Sequence, residues 1–297
     1  MHARSPAYPI LAIALLLMAC AVGPDAPQAL ITRSNLQPTS LLVELRERSR
    51  SQPLVVAHRG ASGRFPENTM PAFRAALETG AALVETDFHE SKDGVLFCMH
   101  DKTLDRTTNA GAVLGRKRIA SRSLTMAELA RLDAGAWKDA RFAGTRIPTL
   151  VEALDLIGPR AIPMIEHKQG SAAKLVHLLR EKQLLDRAVV MSFDWGWLEE
   201  VHRLEQRVFI AALGKDAITA EHYARLHGTG ACMVHWRLTD LRIEDVQELR
   251  DAGYMTCAYT VDSDAGMIGG ATLGLDGITT NRPGRLRELV RQGVVKR

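Results

Sequence analysis

Short apolar segments alternate with amphipathic segments over most of the chain. The apolar segments predict nine strands, at residues 54–57, 83–88, 95–99, 161–165, 188–191, 208–212, 232–234, 255–261 and 277–280. Helical periodicity falls between most of them, for example over residues 69–79, 171–182 and 243–252. Such alternation is typical of βαβ units, in which neighbouring strands are parallel.

One connection is too short to cross over between parallel strands. Residues 91–94, Ser-Lys-Asp-Gly, have the composition of a tight turn, so segments 83–88 and 95–99 are predicted to form a hairpin. Setting the return arm aside leaves eight parallel strands, which predicts an α/β fold, the TIM (β/α)8 barrel. A turn centred on Lys92 and Asp93 pairs residues whose numbers sum to about 185, which puts His100 opposite Glu85.

Two segments lie outside this repeating pattern. Residues 101–148 have broken patterns and are predicted to form an inserted subdomain over the barrel mouth. Residues 40–50 precede the barrel and predict a short amphipathic helix with Leu41, Leu42 and Leu45 on one face. The barrel domain is therefore expected to span residues 51–297.

The N-terminus has the pattern of a secretion signal. An apolar run over residues 10–18 follows His2 and Arg4, and it is short for a membrane-spanning helix. The sequence Leu-Met-Ala-Cys at 17–20 resembles the bacterial lipobox. It predicts a signal peptide at 1–19, a lipid on Cys20 and a tether and helix over 20–50, with the protein anchored to a membrane of the bacterial cell envelope, on the periplasmic or extracellular side. A plain secretory signal is the alternative.

Composition and charge limit the classes of partner. Of the 297 residues, 46% are hydrophobic and 24% are charged, as in an ordinary globular enzyme. The net charge is +4, but the basic residues are scattered and aromatic residues are only 5%, so no nucleic-acid partner is predicted. Cys98, Cys232 and Cys257 lie within predicted strands, which predicts buried free thiols.

Polar residues that suit phosphate chemistry follow the first predicted strand. His58, Arg59 and Gly60 come directly after residues 54–57, at the strand end where TIM-barrel active sites are built. The Arg59 guanidinium offers a planar fork for a phosphate, although a structural histidine at this position is the alternative. In the Pro-Glu-Asn-Thr segment at 66–69, helix capping by the asparagine or threonine is predicted, and a site role for Glu67 stays open.

Carboxylates occur at the carboxyl ends of the apolar runs in the second and fourth predicted strands, counted with the return arm of the hairpin. Glu85 and Asp87 are two apart and therefore share one face, and two like charges directed into a barrel mouth require a cation between them. A solvated alternating strand is the alternative. Glu166 follows residues 161–165 and can complete a site of the oxygen ligands that Mg²⁺ and Ca²⁺ prefer. Lys168 shares its face and offers a cation for phosphate, whereas His167 faces the other way and is predicted to be structural.

Several motifs in order resemble those of the glycerophosphodiester phosphodiesterases. They are HRG at 58–60, PENT at 66–69, ExD at 85–87, KDG at 92–94, HD at 100–101, LDRTT at 104–108, EHK at 166–168 and DGITTNRPG at 276–284. Two residues depart from the family pattern. Tyr259 stands where a tryptophan is common and Asn281 replaces the acid of a Thr-Asp pair, changes that are expected to affect substrate preference.

The resemblance implies that three carboxylates bind one divalent cation, Ca²⁺ or Mg²⁺, that two histidines act as acid and base, and that two cationic side chains hold phosphate. The carboxylates are Glu85, Asp87 and Glu166, the histidines are His58 and His100, and the phosphate ligands are Arg59 and Lys168. The implied reaction converts glycerophosphodiesters to glycerol 3-phosphate and an alcohol. A lysophospholipase D acting on lysophospholipids, a phospholipase C-like enzyme and a non-catalytic surface lipoprotein remain alternatives.

Overall fold

Eight parallel strands close into a barrel in the computed structural model, which describes residues 39–297. The strands are β1 Leu54–Ala57, β2 Leu83–Glu90, β3 Leu96–Cys98, β4 Ile162–His167, β5 Val189–Ser192, β6 Phe209–Gly214, β7 Ala231–Arg237, β8 Met255–Tyr259 and β9 Gly277–Thr280. The order around the ring is β1-β9-β8-β7-β6-β5-β4-β2, and β1 pairs with β2 to close it. The predicted TIM barrel is therefore confirmed, and β3 lies outside the ring.

The hairpin of β2 and β3 is present with a slightly different register. The numbers of paired residues sum to 186, from Glu90 with Leu96 to Phe88 with Cys98. The Phe88–Cys98 pair is the last pair of the two strands. The turn is closed by a hydrogen bond from the Ser91 nitrogen to the Val95 oxygen, and Gly94 adopts a left-handed φ of 82°. This three-residue loop shifts the register by one position, so the predicted placement of His100 opposite Glu85 is wrong by one residue.

Helices surround the barrel and fill the connections between its strands. They are α1 Ser40–Arg48, α2 Met70–Glu78, α3 Ala110–Leu114, α4 Met126–Leu129, α5 Leu150–Ile157, α6 Ala172–Glu181, α7 Trp195–Leu204, α8 Ala220–Leu226, α9 Ile243–Asp251, α10 Asp264–Thr272 and α11 Pro283–Arg291. The predicted helices match α1, α2, α6 and α9 to within two residues at each end. Within residues 39–297, every helix is too short or too polar to cross a membrane.

Apolar side chains fill the amino-terminal end of the barrel, and α1 closes it. Leu41, Leu42 and Leu45 are at most 2% exposed and pack in one cluster with inward side chains such as Leu83 and Met164. The three apolar clusters of the described structure all lie between residues 41 and 295. These clusters give residues 39–297 an extensive buried core, which independent folding of this range would require.

The insert at residues 101–148 forms a small layer over one side of the barrel mouth. It has its own apolar cluster, whose members include Leu104, Ile119 and Leu129. The Lys138 ammonium donates a hydrogen bond of 2.8 Å to the backbone oxygen of Ser62, in the loop after β1. The insert thus rests on the rim of the mouth, as its position after the hairpin predicts.

The three cysteines within strands, Cys98, Cys232 and Cys257, are buried free thiols, as predicted. The predicted signal peptide, Cys20 and tether fall on residues 1–38, outside the described residues. They remain predictions.

Candidate active site

The inward side chains of three strands change from apolar to polar toward the carboxyl end of the barrel. In the first strand the inward positions are Val56 and then His58, which directly follows β1. In β2 they are Leu83, Glu85 and Asp87, and in β4 they are Met164 and Glu166. Because β2 and β4 are adjacent and Asp87 pairs with Glu166 in their ladder, these carboxylates are neighbours. The alternation of strand faces thus delivers the polar groups to one place.

Three buried carboxylates form the centre of the site. Oxygen atoms of Glu85, Asp87 and Glu166 all lie within 4.8 Å of one another. Burial and mutual repulsion raise the pKa of Glu85 well above its usual range and raise that of Glu166 to about 7. The Oε1 atom of Glu85 has no hydrogen-bond partner in the described structure. An unpaired, buried oxygen among three hard ligands fits a divalent cation.

Two cationic side chains border the carboxylates. Arg59 Nε lies 3.2 Å from Asp87 Oδ2, and Lys168 Nζ lies 3.2 Å from Asp87 Oδ1 and also contacts Glu166. The carboxylates outweigh burial and raise the pKa of both cations. Lys168 and Arg59 in turn outweigh burial and lower the pKa of Asp87. Two positive charges cannot neutralise all three carboxylates in their ionised forms, so full ionisation of the cluster requires further positive charge.

The loop after β1 directs Arg59 toward the carboxylates. Arg59 adopts a left-handed φ of 52°, and its backbone nitrogen donates to Glu85 Oε2 at 2.5 Å. Its guanidinium also donates to Glu67 Oε1 at 2.8 Å. Gly60 follows with φ 78°, and a Cβ there would lie 2.6 Å from the backbone of Ala72 in α2. The glycine is therefore required for packing against α2.

His58 is held by an amide. Its Nδ1 lies 2.7 Å from Asn281 Oδ1, and Asn281 Nδ2 donates to an Asp262 carboxylate oxygen at 2.6 Å. Because the carboxylate can only accept, the amide oxygen must face His58, whose Nδ1 therefore carries the proton. Burial, followed by Arg59, lowers the pKa of His58 to about 4. The ring is thus neutral at pH 7, with its Nε2 lone pair available.

His100 is held by a carboxylate. Its Nδ1 lies 2.7 Å from Asp101 Oδ1. Arg106 donates to both oxygens of Asp101, at 2.6 and 2.9 Å, and to both oxygens of Glu67. Arg106 is the main reason that the pKa of Asp101 is lowered to about 2, so Asp101 is ionised beside His100. Burial lowers the pKa of His100 more than this carboxylate raises it.

A cavity of about 230 Å³ opens among these residues and has one apolar wall. Phe193 and Tyr259 form much of that wall, with ring centroids 5.9 Å apart and perpendicular planes. The Tyr259 hydroxyl donates to the Gly214 oxygen at 2.7 Å. Tyr259, one of the two departures from the family pattern, therefore lies on the cavity surface.

Asn68 or Thr69 was predicted to cap α2, but the side chain of Asn68 binds Asp87 instead. Its Nδ2 donates to Asp87 Oδ2 at 2.8 Å, while its Oδ1 accepts from the Asp87 nitrogen at 3.1 Å and from Thr86. Thr69 occupies the N-cap position without a side-chain capping bond. The Asn68 side chain points into the barrel mouth because its amide donor pairs with the Asp87 carboxylate and its amide acceptor pairs with the Asp87 backbone nitrogen. Its position in the PENT motif at residues 66–69 was the one feature of the sequence that could have indicated a role in the site.

His167 occupies the opposite face of β4, as predicted. Its ring stacks on Trp197 with centroids 3.9 Å apart and planes 6° apart. Nδ1 lies 3.3 Å from Ser192 Oγ. The ring is part of the packing between the barrel and its helices and does not line the cavity.

A carboxylate cluster, two differently held histidines and two cations at the carboxyl end of a TIM barrel define a hydrolase of phosphate esters. The sequence comparisons give the family. The chain belongs to the glycerophosphoryl diester phosphodiesterase family, whose model matches residues 58–285. It is therefore a phosphodiesterase.

Similar bacterial proteins support this assignment. The glycerophosphodiester phosphodiesterase of Caldanaerobacter subterraneus is 34% identical, over 81% of this chain and 98% of the relative. That of Bacillus subtilis is 31% identical, over 77% and 84%. An Oleispira antarctica phosphodiesterase, solved in complex with its product sn-glycerol-3-phosphate, superposes with a TM-score of 0.73 at 26% identity, over 81% of this chain and 97% of its own. The predicted family, fold and enzyme class are confirmed.

Proposed function

We propose that this protein hydrolyses glycerophosphodiesters to glycerol 3-phosphate and an alcohol, using one divalent cation and two histidines. The observation that carries the proposal is a cluster of three carboxylates that reaches, through Glu166, a cavity lined by His58 and His100. The named relatives and the glycerol 3-phosphate bound to the Oleispira enzyme support this substrate class.

The three carboxylates would hold the cation, which is Ca²⁺ or Mg²⁺. Both ions prefer carboxylate oxygens, and the unpaired Glu85 oxygen offers such a ligand. When bound, the cation supplies positive charge for the non-bridging oxygens of the phosphodiester. Arg59 and Lys168 line the same cavity and add their own charge there. Preorganised charge of this kind is usually the largest contribution to catalysis.

His58 is the general base in this proposal. Its neutral ring lines the cavity with Nδ1 held by Asn281, so Nε2 is the atom that accepts the proton of the nucleophile as the nucleophile's oxygen attacks phosphorus. The nucleophile is either water, or a neighbouring glycerol hydroxyl whose attack gives a cyclic phosphate that water then opens to glycerol phosphate. Asn281 holds the ring in the required tautomer, and Asp262 holds Asn281. Asn281 is accordingly a positioning residue.

His100 is the general acid. Burial lowers the pKa of both rings, but Nδ1 of His100 contacts the ionised Asp101, whereas Nδ1 of His58 contacts an uncharged amide. Of the two rings, His100 is therefore the one whose protonated form has a charged partner. As the bond from phosphorus to the leaving alcohol breaks, His100 donates its proton to the alcohol oxygen. The two histidines are therefore assigned different roles because one contacts an amide, Asn281, and the other contacts a carboxylate, Asp101.

Product analysis tests the proposed reaction. Residues 39–297 would be incubated with glycerophosphocholine, glycerophosphoethanolamine or lysophosphatidylcholine, with Mg²⁺ or Ca²⁺ and with neither. We expect glycerol 3-phosphate and free choline or ethanolamine, formed only with a cation. Lysophosphatidic acid as the main product would instead identify a lysophospholipase D, and a cyclic phosphate end product would identify a phospholipase C-like reaction. Absence of turnover on all three would contradict an enzymatic role and leave a binding protein.

We also propose that a lipid on Cys20 anchors the protein to a membrane of the bacterial cell envelope, on its periplasmic or extracellular side. The lipobox-like residues 17–20 and the preceding apolar run support this location. Several acyl chains on one cysteine would give stable attachment, whereas a single chain gives only marginal binding.

A further inference from the structure

Two neighbouring aliphatic side chains of the insert are exposed. Val113 and Leu114 lie at the end of α3 and are 52% and 38% exposed. Ala110 is the one residue of this helix that is buried. The outward face of a surface helix is normally polar, so these two residues depart from the usual pattern. Gly115, with a left-handed φ of 64°, then ends the helix.

Three basic residues follow directly. Arg116, Lys117 and Arg118 are exposed, and their side chains form no ion pair with any residue of the described range 39–297. The insert holds ten lysines and arginines against five acidic residues, a net charge of +5, whereas the whole chain has +4. The positive charge of the protein is therefore concentrated in this part.

The segment at residues 112–118, here called the tip, is presented on a fixed base. The carboxylate of Asp105 accepts hydrogen bonds from the backbone nitrogens of Arg118, at 2.7 Å, and Ile119, at 3.1 Å. The backbone N–H of Leu104 donates a hydrogen bond of 2.9 Å to the Ile119 oxygen. The Ile119 side chain is buried in the apolar cluster of the insert. A tip held in this way loses little conformational freedom on binding.

We propose that the tip docks the insert onto the surface of an anionic phospholipid membrane. The two aliphatic side chains would enter the boundary between headgroups and acyl chains, and the three basic residues would face lipid phosphates. The tip contains no aromatic ring on which a base could stack, which disfavours a nucleic-acid partner.

Binding to vesicles tests the proposal without the Cys20 anchor. Residues 39–297 would be sedimented with vesicles of phosphatidylglycerol mixed with phosphatidylcholine, and with vesicles of phosphatidylcholine alone. We expect binding to the anionic vesicles that weakens with salt. Changing the three basic residues at 116–118 to Gln should reduce the partition coefficient by on the order of 10²-fold, since each contributes about fivefold near an anionic surface. Val113→Ser with Leu114→Ser should also reduce it.

A matched control separates the tip from general charge. Arg160→Gln, Arg203→Gln and Lys296→Gln together remove the same charge at exposed positions outside the insert and should leave binding unchanged. The proposal is overturned if this control loses as much affinity as the tip variant, or if wild type does not prefer anionic vesicles. Stronger binding to a duplex oligonucleotide than to the vesicles would also overturn it. Circular dichroism and thermal unfolding would confirm that every variant is folded.

Discussion

Exchanging the amide and the carboxylate behind His58 should change the acidity of that histidine without changing the charge of the protein. The double variant Asn281→Asp with Asp262→Asn puts a carboxylate at the atom that now accepts from Nδ1, at 2.7 Å, and an amide behind it. The new amide at 262 can still accept from the Thr280 hydroxyl and the backbone nitrogen of residue 281, as Asp262 does. Only the position of the charge differs.

The expected shift follows from the distance. A carboxylate at hydrogen-bond distance lies about 4 Å from the centre of charge of the ring, where two unit charges interact by about 4 kcal/mol at an effective dielectric constant of about 20. One pKa unit corresponds to about 1.4 kcal/mol, so about three units is the upper limit, and about one to three units is usual for an adjacent opposite charge. The pKa of His58 should rise from about 4 to roughly 5 to 7.

The assay is the pH dependence of kcat/KM for glycerophosphocholine at saturating cation. A general base works only when neutral, so the rate falls as pH falls through the pKa of His58, and this acidic limb should move upward by the same one to three units, roughly. Asp262→Asn alone is the control, since the amide still faces His58, and its limb should stay near that of wild type. If NMR shows a raised pKa for His58 but the limb does not move, His58 is not the base. If the pKa itself does not rise, the electrostatic argument fails.

Four further variants probe the two histidines, the core and the anchor. His100→Ala should lower activity on glycerophosphodiesters by about 10² to 10⁴-fold yet retain activity on bis(p-nitrophenyl) phosphate, whose leaving group needs little protonation, whereas His58→Ala should lose both. Near-full activity of both variants on glycerophosphodiesters would refute the mechanism. Leu45→Ala should reduce the free energy of unfolding by about 2 to 5 kcal/mol in urea titrations, because this side chain is fully buried at the closed end of the barrel, and a loss below about 1 kcal/mol would contradict that role. Cys20→Ser should move the protein from the membrane to the soluble fraction when membranes are washed at high salt, which also weakens binding through the tip, and unchanged membrane association after that wash would exclude the anchor.

The barrel was predictable from the sequence because its signals are local. Each strand is a short apolar run, and the turn residues at 91–94 identify the hairpin without knowledge of its neighbours. The register was missed by one residue because it depends on the backbone conformation of Gly94, which composition does not specify. The helices are bounded by residues with local signals, such as the capping box of Thr149 and Glu152.

The positions of the candidate site residues were predictable for a similar reason. Carboxylates two residues apart on a strand must share a face, and strand ends of one barrel must meet at its mouth, so Glu85, Asp87 and Glu166 converge. The groups that hold the histidines were not predictable in this way. Asn281 is 223 residues from His58 along the chain, and only closure of the barrel between β1 and β9 brings them together.

Dependence on a divalent cation is the central claim, and one measurement tests it most directly. Release of glycerol 3-phosphate from glycerophosphocholine would be followed in enzyme stripped with a chelator and then given Mg²⁺ or Ca²⁺, with Glu85→Gln in parallel. The account predicts loss of activity on stripping, recovery of wild type on addition of one of the two ions, and little recovery of the variant, which lacks the anionic oxygen that the cation needs. Full activity of the stripped wild-type enzyme would contradict it.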